Sequence, residues 1–366
     1  MQKLTNSRAN SFKECPRKHY YLYEKGIRTK KLEAPLRFGS QFHLGKYVYN
    51  TSGNLENALI EAVNAYSDIP AWIITPDEHR AFNDERIQLV ELLAGNIEYW
   101  NDDPDPVQII HPEQTFDVPI INPKTGRESR TFSAAGQRDA IATWRGQYVL
   151  LEYKTTASDL SPDSPYWMKL MMDSQINHYY LSALLDGIPL TTVLYEVTKK
   201  PSGTFKASLD IAVPDEDGKK VIRWNGTGDR VLNKNGSPAQ RSPAGEAENT
   251  YLETRPETDE EYAERLRNDI RARPEHYYHR HEIARTPTEI YEYQQELWQI
   301  CGAIRKAKNE KYWYKNTGSC FKWHNKRPCP YWDACVNGVE LDKIEPHELA
   351  ERGFEILENV HPELIN

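Results

Sequence analysis

Asp139, Glu152 and Lys154 are the residues of this chain best suited to chemistry. They lie in the stretch Gly136-Gln-Arg-Asp139-Ala-Ile-Ala-Thr-Trp-Arg-Gly-Gln-Tyr-Val-Leu-Leu-Glu152-Tyr-Lys154. Gln147 to Tyr153 reads as a buried strand and Asp139 to Thr143 as a second, with Trp144-Arg-Gly-Gln as the hairpin turn between them. Side chains alternate along a strand, so Glu152 and Lys154 share one face and Tyr153 points to the other. Pairing around the turn brings Asp139 beside Glu152. Two acids and a lysine on an apolar platform suit a hard cation held by oxygen ligands, with the lysine free for a water or a phosphate. An ion-pair network at a sheet edge is the alternative reading of the same triplet.

The cysteines form the second constellation. Cys320, Cys329 and Cys335 fall within sixteen residues, and Cys15, followed by a proline, lies near the other terminus. Three clustered thiols and one remote one suit a four-thiolate site that ties the chain ends together. Zinc is possible, although paired Cys-x2-Cys knuckles are absent, and the uneven spacing suits an iron–sulfur cluster better. Four unrelated buried thiols are the plain alternative. Cys301 falls mid-helix and reads as a core residue.

The elements that must position these groups follow from the rest of the chain. With 366 residues, 39% of them apolar, the sequence can bury a large core in one elaborated domain or two. The segments read as a helical region (1–106) containing Cys15 and His43, an α/β core (107–200), an irregular Gly-, Pro- and Asn-rich insertion (201–250) and a helical region (251–366) with the cysteines. Ser7 or Ser11 reads as the cap of a first short helix. Phe38 to Ser40 reads as a loop entering the helix that starts near His43. Tyr166 to about Leu185 reads as one helix, on which Gln175 and Tyr179 share a face. A buried strand then completes a β–α–β crossover.

The formal charge is −8, which disfavours a general polyanion binder, yet basic residues concentrate in two places. Arg8 to Lys31 holds eight basic residues against Glu14 and Glu24, and Ala303 to Arg327 holds eight against Glu310. Such patches could form one polyanion groove or be solvated helix faces. No apolar run approaches the roughly 20 residues of a membrane span and no signal-peptide core is present, so the expectation is a soluble, cytoplasmic protein with reduced cysteines. No Gly-x4-Gly-Lys-[Ser/Thr] phosphate loop occurs, which excludes a fused ATP-driven motor of that type.

Taken together, Ser11…Cys15-Pro-Arg-Lys-His-Tyr, Gly39…His43, Gly136-Gln-Arg-Asp139, Glu152-Tyr-Lys154, Gln175-x3-Tyr179 and Cys320…Cys329-Pro-Tyr…Cys335 resemble the PD-(D/E)xK nuclease superfamily. Their order is similar to that of its RecB-like exonuclease branch with a four-cysteine iron–sulfur cluster. That branch includes AddAB nuclease domains and CRISPR-associated and phage exonucleases. The Cys320-x8-Cys329 spacing is longer than the Cys-x2-Cys of several relatives.

The resemblance implies an α/β, restriction-endonuclease-like fold: a central mixed sheet flanked by helices, with the terminal helical segments joined by a 4Fe–4S cluster on Cys15, Cys320, Cys329 and Cys335. It implies a Mg²⁺- or Mn²⁺-dependent deoxyribonuclease acting on single-stranded DNA or duplex ends in recombination, repair or phage DNA metabolism. The metal ligands would be Asp139, Glu152, the backbone carbonyl of Tyr153, and His43. Lys154 would orient water or stabilise charge, and Gln175 and Tyr179 would position it or the substrate. Arg17, Lys18, Lys30 and Lys31 would contact DNA phosphates, and Tyr20-Tyr21 or Tyr277-Tyr278 could stack bases, core packing being their other fate. A separate helicase or recombinase, or an oligomer, would be the partner. A non-cleaving adaptor subunit and a structure- or sequence-specific endonuclease are the other readings of this fold.

Overall fold

The computed structural model describes residues 1–31, 33–207, 209–214, 236, 250–322 and 327–364. Most of the 201–250 insertion, and Lys326 of the second basic stretch, lie outside the described residues.

The fold is a mixed α/β one with a six-stranded central sheet. Its spine is the long strand Glu128–Trp144. Gln108–Ile121 runs antiparallel along one edge of that strand. The other edge is shared by Gln2–Leu4, parallel to Phe132–Ala134, and by the antiparallel strand Gln147–Thr156. Thr192–Lys199 continues the sheet in parallel, and Tyr278–Ile283 closes it in antiparallel. The hairpin turn has Arg145 at φ 52° and Gly146 at φ 76°, two left-handed residues of the kind that match the natural twist of paired strands.

Alternation sorts the sheet into two apolar faces. Ile141, Leu150, Val193, Tyr195 and Val197 pack under the helices Ser174–Leu185 and Pro287–Asn309 through Ile176, Tyr180, Leu297 and Ile304. Ala140, Ala142, Val149, Leu151, Tyr153 and Leu194 form the opposite face. The helices Ala34–Ser52, Pro76–Asn101 and Asp259–Ala272 build a further core from Phe38, Phe42, Leu89, Leu92, Leu266 and Ile270. Three helices start at a threonine that caps the backbone while a glutamate three residues on reaches back: Thr75/Glu78, Thr258/Glu261 and Thr286/Glu289.

Three local expectations are corrected. The first helix, Asn6–Glu14, is capped by Thr5, and Ser11 is buried inside it. Residues 38–40 are helical: Pro35 at the first turn starts the helix at Ala34, so His43 sits mid-helix. The helix expected over 166–185 is two, Pro165–Met171 and Ser174–Leu185. Asp173 marks the break by accepting the Gln175 N–H at 2.9 Å, the cap from which the second helix starts. Tyr21, Tyr277 and Tyr278 are buried in the cores and Tyr20 is half-buried, its hydroxyl on Asp342, so of the two fates open to these rings core packing is the one taken, as expected for most of them.

The two ends of the chain meet through protein contacts. Phe354–Ile356 pairs antiparallel with Ile27–Thr29, and the Tyr331 hydroxyl donates to the Ile27 carbonyl at 2.6 Å. Among the described residues, no helix is long and apolar enough to cross a membrane.

Candidate active site

The hairpin register pairs Ala140 with Leu151, which sets Asp139 against Glu152 on the face that carries Lys154. Glu152 is fully buried, and its Oε1 accepts from the Lys154 ammonium at 2.6 Å. That ammonium also donates to Gln175 Oε1 at 2.8 Å, and Asp173 Oδ2 stands 3.9 Å from it. Gln175 in turn donates to the Tyr179 hydroxyl at 2.9 Å, so the break at Asp173 is what aims Gln175 at the lysine. Asp139 Oδ2 accepts the Tyr153 N–H at 2.8 Å, and Oδ1 meets His43 Nδ1 at 3.2 Å. Gly136 is required here: a Cβ would come within 2.6 Å of the Phe116 ring and 3.2 Å of the Tyr179 ring.

Tyr153 holds the hairpin from the other face. Asn50 donates to its hydroxyl at 2.9 Å, and the Lys46 ammonium lies 4.8 Å from its ring centroid. Lys46 is buried, bonded to Asn96 at 2.7 Å and to Glu196 at 2.9 Å.

Electrostatics separate the two central acids. Burial opposes ionisation of Asp139, but His43, Lys154 and the Tyr153 N–H outweigh it and hold the carboxyl below its usual range. Glu152 is pushed up to about 8 by burial and by the Asp139 charge, against the pull of Lys154. Burial disfavours the Lys154 cation, yet Glu152, Asp173 and Asp139 raise its pKa and keep it charged. His43 is likewise raised, Asp139 overcoming its desolvation.

The arrangement fits a divalent cation on one specific count. Glu152 Oε2 is buried and has no hydrogen-bond partner among the described residues, an expensive position for a carboxylate oxygen unless a ligand takes it. Among the described residues, no group of three or more His, Cys, Asp and Glu side chains stands already arranged as a metal cage.

Sequence reasoning missed two acids. Glu113 lies between Pro112 and Gln114, whose partners are Ala140 and Arg138, and so faces Asp139 across the strands. Its backbone is left-handed, φ 32°, and Gln137 donates to its carboxylate at 2.9 Å. Burial and then Asp139 push the Glu113 carboxyl up to about 7. The signal available was an acid, one of two with Asp117, in the strand Gln108–Ile121. Asp173 was legible as an acid just ahead of the Gln175 helix.

The remaining candidates fall elsewhere. Cys15, Cys320, Cys329 and Cys335 line one pocket with Arg17, Lys18 and Lys315. Burial pushes the Cys329 thiol up, and Cys15 and Cys320 add to the push against Lys18. The Cys329 N–H donates to the Cys320 carbonyl at 2.8 Å, and the Asn316 N–H to Cys15 Sγ at 3.4 Å. Cys301 is a buried core residue. Arg17 donates to the Trp313 carbonyl at 2.9 Å and Lys18 pairs with Glu14 at 2.8 Å, while Lys30 and Lys31 are exposed.

Comparison with known proteins follows this geometry. No curated protein matches the chain. One matching solved structure, titled "Crystal structure of SSO0001", is 14% identical over 45% of this chain, with a TM-score of 0.19. This chain spans 62% of that one's length. The family model described as the PD-(D/E)XK nuclease superfamily matches residues 3–336, nearly the whole chain. With Asp139, Glu152 and Lys154 placed as above, the chain belongs to the PD-(D/E)XK nuclease superfamily.

Proposed function

We propose that the protein is a metal-dependent DNA exonuclease of the RecB-like kind, hydrolysing phosphodiester bonds at single strands or duplex ends. The observation that carries the reading is the buried, unpartnered Oε2 of Glu152 beside Asp139, with Lys154 on the same face. Asp139, Glu152, His43 and the Tyr153 carbonyl would hold Mg²⁺ or Mn²⁺, which supplies charge neutralisation at the scissile phosphate and a more acidic water.

The side chains have separable parts in this scheme. Lys154 is a pinned cation, so it stabilises negative charge developing on the phosphate and does not act as a base. Gln175 fixes the ammonium, and Tyr179 fixes Gln175. The Tyr153 N–H and His43 set the orientation of Asp139. Lys30 and Lys31 are exposed and would meet backbone phosphates, Lys30 leaving its 3.5 Å contact with the Ala350 carbonyl, whereas Arg17 and Lys18 line the thiol pocket.

The residue types lining that pocket, four cysteines with Arg17, Lys18 and Lys315, fit a four-thiolate group in kind. Cys15, Cys320, Cys329 and Cys335 would hold a 4Fe–4S cluster whose part is structural, clasping the chain ends.

The test is degradation of end-labelled and circular single- and double-stranded DNA with Mn²⁺, Mg²⁺ or EDTA, wild type beside Lys154→Ala. Metal-dependent loss of linear DNA alone, absent in the variant, supports the exonuclease. Cut circles would point to an endonuclease, and binding without cleavage in every metal to an adaptor subunit.

A further inference from the structure

The chain has four methionines. Besides Met1, all lie within five residues, and all are in solvent: Met168 is 66% exposed, Met171 57% and Met172 84%. They sit on and just after the short helix Pro165–Met171, whose other side is firmly anchored. Trp167 and Leu170 are buried in the main core, and the Trp167 indole donates to the Leu160 carbonyl at 3.2 Å. The Leu170 carbonyl accepts from Arg285 at 3.0 Å and from the Tyr195 hydroxyl at 3.3 Å. The helix is therefore fixed to the sheet, and the apolar side chains it turns outward are presented at a set place.

That place adjoins the candidate active site. Met172 is followed at once by Asp173, whose carboxylate lies 3.9 Å from the Lys154 ammonium, and then by Gln175, bonded to it at 2.8 Å. Lys169, between the methionines in sequence, is exposed as well. A strand held by its phosphate at Lys154 keeps its charges near the carboxylates and lysines and turns its bases toward neighbouring apolar surface. Methionine suits such an occupant: the thioether is flexible and polarizable, packs favourably on aromatic rings, and adapts to any base. Apolar side chains, methionine among them, also insert between base steps.

We propose that Met168, Met171 and Met172 form a platform for the unpaired bases of the strand being cut, and so bias the enzyme toward single-stranded substrate. The proposal rests on the nuclease reading and adds the strand preference to it.

The test uses the full-length wild-type protein with Ca²⁺, a hard cation for oxygen ligands, and a mixed-sequence single-stranded oligonucleotide whose length is checked after incubation. An abasic oligonucleotide of the same length serves as the comparison. Chloramine-T oxidation of exposed methionines is read by peptide mass spectrometry, with Met1 as the internal reference, and DNA binding is followed in parallel by anisotropy. Base-bearing DNA is expected to slow sulfoxide formation at the three methionines several-fold relative to Met1, and abasic DNA is not. Equal protection by both DNAs, or bound DNA with no protection, would overturn the platform alone. No DNA binding at all would overturn the nuclease reading with it. Protection that grows with protein concentration and without DNA would show a second copy as the occupant, and overturn the proposal. In the catalytically intact protein, Met168→Gln/Met171→Gln/Met172→Gln should raise KM for single-stranded DNA with little change in kcat. A fall in kcat at unchanged KM would overturn it.

Discussion

Glu113 faces Asp139 across two antiparallel strands, and the backbone adopts a left-handed φ of 32° to put it there. A strained non-glycine residue that crowds two acids together is costly, and such strain gathers at functional sites. Glu113→Gln removes one charge and keeps the shape. Cleavage by this variant should fall on the order of tenfold at low metal and recover as Mn²⁺ is raised, as expected for a group that tunes metal affinity. A metal titration of initial rates measures this. Unchanged metal dependence would reduce Glu113 to a structural residue.

Lys154 and Gln175 should separate in magnitude. Lys154→Ala removes the cation itself and should cost about 10²–10³ in the single-turnover rate. Gln175→Ala leaves the cation held by Glu152 and only loosens its aim, so its loss should be nearer tenfold. Thermal melts by circular dichroism should show both variants folded. Equal losses would mean that the glutamine does more than position.

Stability should depend on pH through His178. Its Nε2–H donates to the Ala135 carbonyl at 3.0 Å, and in the neutral ring its Nδ1 accepts from the Tyr293 hydroxyl at 2.9 Å. Burial depresses the pKa from 6.5 to about 4. The unfolded chain thus binds a proton that the folded chain refuses between those two values. The stabilising contribution is fully present above pH 6.5 and is lost as pH falls toward 4, a loss on the order of 3 kcal/mol. Urea midpoints at pH 7 and pH 4.5, with His178→Gln as the reference of shallower slope, provide the measurement.

The buried Lys46–Glu196 pair is open to a double-mutant cycle. Lys46→Met strands a carboxylate that Arg280 still holds at 3.2 Å, so the cost should be about 3 kcal/mol, the low end for breaking such a pair. Adding Glu196→Met should return part of it. Additive losses in chemical denaturation would show that the two charges act independently.

Cys329→Ser tests the thiol pocket. Anaerobically purified wild type should be brown and the variant pale and less stable, with the rate constant of cleavage at the carboxylates affected least. Equal colour and equal melting temperature would end the cluster proposal.

The parts of this molecule legible in advance are those written in short-range periodicity. The hairpin followed from one glycine between two short apolar runs, and Gln175 with Tyr179 followed from a spacing of four on a helix. What was missed depends on long-range register. Nothing local says that Glu113 will meet Asp139, because that pairing is set across the turn at residues 122–127 and through the register shift between Pro119 and Ile121. The start of the His43 helix was misplaced because Phe38-Gly-Ser resembles a loop, and only packing of Phe38 and Phe42 against Leu92 and Leu93 rewards the helical form. The edge strand Tyr278–Ile283 went unread, since it declares itself only by its neighbour Thr192–Lys199.

The two-residue turn at Arg145-Gly146 acts as the origin of a ruler. Five paired residues, Ala140–Trp144 and Gln147–Leu151, separate it from the two carboxylates on either arm. Lengthening one arm alone would put Tyr153 or Leu151 opposite Asp139. Lengthening both by one residue would keep the acids opposed but turn them into the other core. Only additions of two residues per arm restore both partner and face, so with this turn retained the interval between Asp139 and Glu152 can change only in steps of four. Any other change within the hairpin loses either the opposition of the carboxylates or the face they share, however well the sheet still folds.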